Sequence, residues 1–369
     1  MKFNVKRDKI IDKIQFINSI VPIRNPMPIL TNILLDADEN SNIVKLYATD
    51  LEVSAIVQVK CDVERGGKIA IPAKNITEII RSLPNEKIEF STEDNFCKIL
   101  CKQSKSDFKL ICANPQDFPE IPERKWEESF KINAQLFAKL VSKTLFAVST
   151  QIGRPAFSGV LWELDNESQK MVATDGKRLA KYETKLQLNS EKKSIIMPIK
   201  GLNLISRIID DEEELKILAE ENAISFDYNS YKIHSRLIEA KYPDYEAVIP
   251  YDNSKTIEVE LEVFKQAVHR VSLLASEDTN KIVLNFSKDK IKISSEDIEK
   301  GSADEVVSFS CDEKVDIDKF QIGVNYKYLT EVLSHIDTEK VLIKFENSLD
   351  PALFFNTEFP KDEENLFLL

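Results

Sequence analysis

Three similar segments decide the predicted fold: PAKNITEIIRSL at 72–83, PIKGLNLISRII at 198–209 and VNYKYLTEVLSHI at 324–336. They begin at positions 72, 198 and 324, a spacing of 126 in both intervals. Apolar residues of the first segment repeat at i, i+3, i+4 and i+7, as on one helical face: Ile76, Ile79, Ile80 and Leu83. The third segment does the same with Leu329, Val332, Leu333 and Ile336, and the middle one is close with Leu202, Ile205 and Ile209.

An earlier helix also occurs once in each third of the chain. Its predicted apolar faces are Ile10, Ile14, Ile17 and Val21, then Phe137, Val141, Leu145 and Val148, then Phe264, Val268, Val271 and Ala275. Between the two helices of each third, alternating and branched residues predict antiparallel strands at 32–38 and 43–59, at 160–164 and 170–182, and at 282–286 and 290–295. Each unit therefore reads helix, strands, helix, strands.

The polar, proline-containing stretches 119–125 and 250–254 are the predicted linkers. A unit of about 120 residues can bury a core of its own, unlike a short solenoid repeat. We therefore predict an α+β protein of three tandem domains, 1–125, 126–250 and 251–369, each with two helices packed on antiparallel sheets.

Composition excludes several classes of protein. The 369 residues carry 50 Lys and Arg against 62 Asp and Glu, a net charge of −12, and 43% are hydrophobic, as in folded proteins. No apolar run has the length of a membrane helix, and the first residues lack a secretory apolar region. We predict a cytoplasmic protein with no membrane partner. The five cysteines are an odd, sparse set that favours a reducing compartment.

Signals for catalysis and ligand binding are few. None of the eight glycines belongs to a phosphate-binding motif. The three histidines are far apart in sequence, and Cys97 and Cys101 lie on a predicted strand, where we interpret them as packing residues. We predict no catalytic residue, no metal site and no cofactor.

Charge is distributed unevenly along the chain. The three predicted domains have net charges of +1, −2 and −11, yet the six repeated helical segments together carry +8, which leaves −20 for the rest. If these helices share one surface, it attracts phosphates while the remainder repels them. Basic residues that only decorate solvent-exposed helix faces are the alternative. No aromatic platform accompanies them, so contact would be with phosphates and not with base sequence.

Short motifs occur in one order along the chain: MKFNVKRDKI at 1–10, ATDLE at 48–52, NPQDFP at 114–119, VATDGKRL at 172–179, YPDY at 242–245 and IGVN at 322–325. Each is weak alone, but the ordered set on a threefold repeat resembles the bacterial DNA sliding clamps, the beta subunits of DNA polymerase III. The resemblance implies a head-to-tail homodimer in which six similar domains close into a ring, with helices lining the hole. Such a ring encircles double-stranded DNA without sequence specificity and tethers the replicative polymerase.

A ring of this kind holds DNA by topology. A protein that reads sequence gains roughly 4 to 10 kcal/mol at its preferred site, which would halt sliding. The resemblance implies phosphate contacts at Arg24, Lys74, Gln151, Arg154, Lys200 and Arg207. For each of them, a solvated surface side chain remains the alternative.

The resemblance also implies an apolar groove in the second domain, formed with the third, where polymerase, clamp loader and repair proteins insert a short linear motif. Its residues are Phe157, Thr174, Gly176, Lys177, Arg178, Leu179, Pro243 and Val248. Tight-turn formation alone would explain Asp175 and Gly176, and a buried ion pair is the alternative for Arg178.

This chain differs from the family at two places. It ends in NLFLL at 365–369, where members usually have a Met-Pro segment with a terminal basic residue that walls the groove. Glu246 and Ala247 also stand where a basic residue is often found. We expect both differences to alter groove affinity and to leave the fold unchanged.

The implied dimer seam falls on Phe108 of the first domain and on Leu273 and Leu274 of the third, and this contact between different faces closes only as a ring. Lysines near the first would meet carboxylates near the second and favour head-to-tail pairing: Lys102, Lys105 and Lys109 against Glu296, Asp297, Glu299, Asp304 and Glu305. Asp107 beside Phe108 weakens this complementarity.

Two other functions compete with a non-enzymatic processivity clamp. A repeat-built scaffold that binds proteins without nucleic acid would leave the basic helices solvated. A DNA-modifying enzyme would need clustered carboxylates or a nucleophile beside a base, and the sequence indicates neither. Asp50 and Asp175 recur at matching positions, but turn formation explains both.

Overall fold

A computed structural model describes residues 1–122, 124–151, 153–185, 192–210, 213–311, 317, 320–359 and 362–369. These residues form two compact units, the first of residues 1–138 and 200–237 and the second of residues 139–199 and 238–369. The predicted middle domain, 126–250, contributes residues to both units. The three domain boundaries remain predictions.

Six α-helices, five short 3₁₀ helices and 25 strands make up the regular structure of the described residues. The helices are α1 (Arg7–Asn18), α2 (Ala73–Ser82), α3 (Ala134–Thr144), α4 (Ile199–Ser206), α5 (Leu261–Ser272) and α6 (Tyr326–Ser334). The strands are β1 (Lys2–Lys6), β2 (Asn32–Asp38), β3 (Ile43–Thr49), β4 (Val53–Lys60), β5 (Asp62–Arg65), β6 (Gly67–Pro72), β7 (Lys87–Glu93), β8 (Phe96–Cys101), β9 (Ser106–Ile111), β10 (Phe130–Asn133), β11 (Gly159–Leu164), β12 (Ser168–Thr174), β13 (Leu179–Lys185), β14 (Lys193–Pro198), β15 (Glu214–Ala219), β16 (Ala223–Tyr228), β17 (Tyr231–Arg236), β18 (Lys255–Glu260), β19 (Lys281–Ser287), β20 (Lys290–Asp297), β21 (Gly301–Cys311), β22 (Phe320–Asn325), β23 (Lys340–Phe345), β24 (Leu353–Asn356) and β25 (Glu363–Leu368).

The first unit contains two antiparallel sheets. Their strand orders are β5-β1-β7-β8-β9 and β10-β15-β16-β17-β4-β3-β2-β6. Helices α1 and α2 pack against each other, and each buries one apolar stripe, as Ile10 and Ile14 on α1 and Ile76 and Ile80 on α2 show. This one-sided burial leaves the polar face of each helix exposed, as the spacing of apolar residues predicts.

The second unit is built around one twelve-stranded sheet. Its order is β14-β11-β12-β13-β25-β24-β23-β18-β21-β20-β19-β22, with antiparallel neighbours. Helices α5 and α6 pack together here, as α1 and α2 do in the first unit, with Phe264 and Leu329 fully buried. The predicted α+β class with antiparallel sheets and few helices is therefore confirmed. None of the helices in the described residues is long and apolar enough to cross a membrane.

The structure adds a strand before the first helix of each repeat, β1, β10 and β18, to the predicted order, and the helices end earlier than predicted. Residues predicted on helical faces that lie beyond the ends are Val21, Leu83, Leu145, Val148, Ile209, Ala275 and Ile336. Val148 and Ala275 are nevertheless buried, at 5% and 3% exposure. Loop residues that bury apolar side chains thus continue the spacing of a helix after the helix itself has ended. Cys97 and Cys101 lie buried on β8, which confirms the predicted strand.

Candidate functional site

The turn between β12 and β13 forms the centre of the predicted groove in the second unit. Thr174 Oγ1 accepts a hydrogen bond from the Gly176 N–H at 3.0 Å and donates to the Arg178 carbonyl at 2.6 Å. Asp175 Oδ1 accepts from the N–H groups of Lys177 and Arg178 at 2.9 and 3.1 Å. Gly176 has a φ of +85°, a left-handed conformation that favours glycine. The predicted turn role of Asp175 is confirmed.

Aromatic rings and one guanidinium lie against this turn. A Cβ on Gly176 would stand 3.0 Å from Arg154 Nη1 and 3.7 Å from Phe157 Cε2, so glycine makes room for both side chains. The Phe157 ring meets the Tyr242 ring nearly edge to face, with centroids 6.2 Å apart. Tyr242 belongs to the YPDY motif, but its packing on Phe157 was not predicted because nothing in the sequence relates positions 157 and 242.

A buried apolar cluster lies beneath the turn. Leu179 is 2% exposed and packs in this cluster with Val172 and Leu353. Strand β25 pairs with β13 and adds Leu366 and Leu368 to the same cluster. Strand β25 therefore contributes side chains to the core beneath the turn.

The predicted groove residues differ widely in exposure. Val248 is 55% exposed, Phe157 is half-buried, and Thr174, Arg178 and Leu179 are buried. The other exposed members are Gly176, Lys177 and Pro243. The exposed members offer surface to a ligand, whereas the buried ones act by holding that surface in place.

Arg178 is the most constrained member. Its Nε donates to Asp175 Oδ2 at 3.2 Å, its Nη2 donates to the Phe146 carbonyl at 2.7 Å, and its Nη1 donates to Glu331. The guanidinium also lies 4.6 Å from the centroid of the Tyr328 ring. A buried guanidinium needs such acceptors to offset its lost hydration. These contacts are those of a buried ion-paired residue, which is the alternative role considered for Arg178.

Glu246, which stands where the family often has a basic residue, is held by neighbouring groups. Its Oε1 lies 3.3 Å from Lys181 Nζ, and its Oε2 accepts a hydrogen bond from the Tyr251 hydroxyl at 2.6 Å. Lys170 Nζ is 3.8 Å from Oε1. The carboxylate thus has two lysines as counter-charges.

In the first unit, the residues predicted to contact phosphate fall into two groups. Arg24, Lys74 and Arg207 are exposed. Lys200, on α4, instead donates to Asp50 on the turn before β4 and lies 3.2 Å from the Ile20 carbonyl. Because Lys200 already has an acidic partner, its charge is less available to phosphate than the charges of the other three.

In the second unit, Gln151 and Arg154 are both exposed. The Gln151 N–H donates to Ser149 Oγ at 3.1 Å. The Arg154 guanidinium lies 5.8 Å from the centre of the Phe157 ring, which brings this predicted phosphate contact next to the groove. Arg154 is therefore placed beside the groove turn as well as on the exposed surface.

One of the predicted seam residues lies on an edge strand, and the other two follow a helix. Phe108 is on β9, which forms one edge of the five-stranded sheet. Among the residues that the structure describes, 301–308 of β21 pair only with β20, and Leu273 after α5 is 64% exposed. An unpaired edge carries free N–H and carbonyl groups and is a template for another strand.

Some of the predicted seam charges already have partners within the chain. Arg270 forms a two-pronged ion pair with Glu305 at 2.5 and 2.9 Å, which lowers the pKa of that carboxyl group. Lys292 Nζ lies 3.4 Å from Asp304 Oδ2. The acidic side chains near β21 are thus partly neutralised within the chain.

The chain matches three family models in succession. They are the N-terminal domain of the DNA polymerase III beta subunit at residues 1–122, its central domain at 131–244 and its C-terminal domain at 246–364. A beta sliding clamp of Staphylococcus epidermidis is 29% identical over 99% of this chain and 97% of the relative. A beta sliding clamp of Bacillus subtilis is 28% identical over 98% and 97%.

Solved structures show the same likeness. The DNA polymerase III subunit beta of Pseudomonas aeruginosa has 28% identity and a TM-score of 0.91, covering 100% of this chain and 99% of that chain. A sliding clamp of Bartonella birtlesii, solved bound to griselimycin, has 26% identity and a TM-score of 0.92, covering 100% and 98%.

Proposed function

Because this chain belongs to the family of DNA polymerase III beta subunits, it is a non-catalytic processivity factor of DNA replication, and we propose that it acts as a head-to-tail homodimeric ring around duplex DNA. Its fold is that of three tandem clamp domains. The observation that carries the proposal is the succession of N-terminal, central and C-terminal family domains over nearly the whole chain. The domain boundaries 1–125, 126–250 and 251–369 are part of the proposal.

The dimer forms between strand edges that are open in a single chain. Strand β9 carries Phe108 and the 69% exposed Ile111, and β21 carries the 53% exposed Val306 close in sequence to the acidic residues. Joining such edges satisfies backbone groups and covers apolar side chains, including Leu273 and Leu274. Each chain has one β9 edge and one β21 edge. In a head-to-tail dimer the β9 edge of each chain joins the β21 edge of the other, and the two chains close the ring.

The DNA contacts are made to phosphates by exposed basic and polar side chains. Arg24, Lys74 and Arg207 in the first unit, with Gln151 and Arg154 in the second, are the contact residues of this proposal. Lys200 contributes mainly by holding Asp50. Contacts of this kind leave the base edges unread, so the duplex remains free to pass through the ring.

The groove around Gly176 binds the linear motifs of polymerase, clamp loader and repair proteins. Phe157 and Val248 offer apolar surface, and Lys177 and Pro243 border it. Buried Thr174, Arg178 and Leu179 fix the turn and its floor. One shared groove allows several partners to occupy the clamp in turn. The chain acts in the cytoplasm, where the bacterial chromosome is replicated.

Primer extension tests the proposal. A singly primed template is copied by the replicative polymerase and clamp loader in the presence of excess competitor DNA, so that each product reports one encounter. With the chain present, the products lengthen severalfold, because a polymerase tethered to a ring does not dissociate after each short run. A scaffold that does not enclose DNA leaves the product length unchanged, and that result would reject the proposal.

A further inference from the structure

A cavity of about 360 Å³ lies in the first unit, apart from the groove around Gly176. The linker residues Pro119, Ile121 and Pro122 form one side, and Leu51 lies on the turn between β3 and β4. The end of β17 completes it with His234 and Arg236. None of the functions assigned above uses this cavity.

The turn beside this cavity is built like the groove turn of the second unit. Thr49 Oγ1 accepts from the Leu51 N–H at 3.0 Å, as Thr174 Oγ1 does from the Gly176 N–H. Asp50 Oδ1 accepts from the N–H groups two and three residues later at 3.0 and 2.7 Å. The residue after the aspartate has a φ of +79° at Leu51 and +85° at Gly176. The repeat therefore provides the same turn twice.

Leu51 is the point at which the two turns differ. A leucine with a positive φ is strained, because its Cβ crowds the backbone in the left-handed region. Its side chain is 45% exposed, so the hydrogen bonds of the turn, and not burial of the side chain, hold the strained conformation. Strain retained at an exposed apolar residue that lines a cavity indicates a role in binding.

The charges around the cavity indicate the chemistry of its ligand. The lining holds Arg124 and Arg236 against Glu52 and Glu120, and Arg124 also pairs with Glu220 at 3.3 Å. Burial lowers the pKa of His234 to about 4, so the imidazole is neutral at pH 7. With no net charge in the lining, recognition rests on apolar contact with Leu51, Ile121 and the two prolines.

We infer that this cavity is a second peptide site, which takes a short linear segment with apolar side chains and no net charge. The inference rests on the proposed function only in taking a peptide as the ligand, by analogy with the equivalent turn. A clamp with both sites would hold two partner segments on each chain, one at each of two equivalent turns.

Selection from a random heptapeptide display library tests this inference on the full chain. Peptides recovered on the wild type are synthesised and titrated by calorimetry against Leu51→Gly and, as a matched control in the other groove, Phe157→Ala. We expect a class of apolar peptides whose affinity falls about tenfold or more with Leu51→Gly and is unchanged with Phe157→Ala, as for loss of a central apolar anchor. Glycine fits the positive φ, so the melting temperature of Leu51→Gly should equal or exceed that of the wild type.

Other outcomes separate this inference from the proposed function. Peptides that depend only on Phe157 would overturn the second site and leave the first groove intact. A library that yields no binding peptide would contradict both. A lower melting temperature for Leu51→Gly would show that Leu51 stabilises the fold. A smaller mass of Leu51→Gly in light scattering would show that the cavity binds a second copy of the chain. Either result would overturn the peptide site.

Discussion

Arg178 on the groove turn is ion-paired with Glu331 on helix α6, 153 residues further along the chain. The same guanidinium holds Asp175 on its own turn and the carbonyl of Phe146. One buried cation thus joins the β12–β13 turn to α6 and to the residues after α3. The shape of the proposed groove depends on these contacts even if Arg178 itself does not touch a ligand.

Replacing Arg178 by alanine should therefore reduce both stability and partner binding. We expect Arg178→Ala to lower the free energy of unfolding by about 2 to 3 kcal/mol, because Asp175 and the Phe146 carbonyl lose a buried donor. Binding of a polymerase C-terminal peptide should weaken about tenfold as the turn relaxes. Urea titration and fluorescence anisotropy measure the two effects.

The control Glu331→Gln keeps the other two contacts of Arg178 and should lower the free energy of unfolding by less than about 1 kcal/mol. Unaltered peptide affinity in Arg178→Ala would leave Arg178 with a structural role alone.

The seam prediction concerns the assembly of the ring. The double substitution Leu273→Ala with Leu274→Ala should give monomers, because apolar truncations at the centre of an interface commonly cost about 2 kcal/mol or more each. Light scattering should then report the mass of one chain, 42.2 kDa. Val263→Ala is a matched control, since Val263 is 51% exposed on α5, the helix that precedes Leu273 and Leu274, but is not a seam residue. A dimer that survives the double substitution would count against this seam.

The phosphate contacts can be tested through salt dependence. DNA affinity falls as the salt concentration rises, and the slope of log affinity against log salt concentration reports the number of neutralised phosphates. Replacing Arg24, Lys74 and Arg207 by alanine should reduce the size of this slope by about 0.9 for each phosphate contact that is lost. Lys68→Ala is the control, because Lys68 is 59% exposed and pairs with Asp36 on β2. Equal slopes for the triple variant and the control would mean that these side chains are merely solvated.

Lys200 should behave differently from the other basic residues. Because Lys200 donates to Asp50 and to the Ile20 carbonyl, Lys200→Met should lower the melting temperature of the first unit. The salt slope of DNA binding should remain close to that of the wild type. A slope change as large as that of Arg207→Ala, without a thermal effect, would restore Lys200 as a direct phosphate contact.

The stability of the first unit should depend on pH through His234. This side chain is 8% exposed, and burial lowers its pKa from 6.5 to about 4. As the pH falls below 6.5, the imidazole of the unfolded chain is protonated before that of the folded chain. The free energy of unfolding is therefore highest above pH 6.5 and falls by about 3 kcal/mol in total towards pH 4. Unfolding free energies of the wild type and His234→Gln should therefore converge as the pH falls. Parallel pH profiles would contradict the buried neutral imidazole.

The threefold repeat was predictable because it rests on local spacing. Ile76 and Ile80 are buried on α2 as their separation predicts, and Asp175 forms the turn that its position indicates. Helix ends were less predictable. Val148 and Ala275 continue the apolar spacing in loops that are also buried, and no spacing rule separates the two cases.

Contacts between distant residues could not be predicted from one sequence. The pairing of Lys200 with Asp50 joins positions 150 residues apart, and that of Phe157 with Tyr242 depends on how loops pack over Gly176. The family resemblance predicts Arg178 as a site residue, but tertiary packing determines which groups accept its hydrogen bonds. The family resemblance thus indicated candidate site residues, whereas the structure shows what each one touches.

Topological retention tests the central claim most directly. A clamp loader places the chain on a nicked circular duplex, and gel filtration at high salt removes the free protein. The circle is then cut once. In a parallel sample, bulky proteins block the two new ends. An enclosing ring stays on the intact circle, runs off after the cut and is retained when the ends are blocked. Equal loss from circular, linear and end-blocked DNA would contradict the claim that this chain encircles DNA.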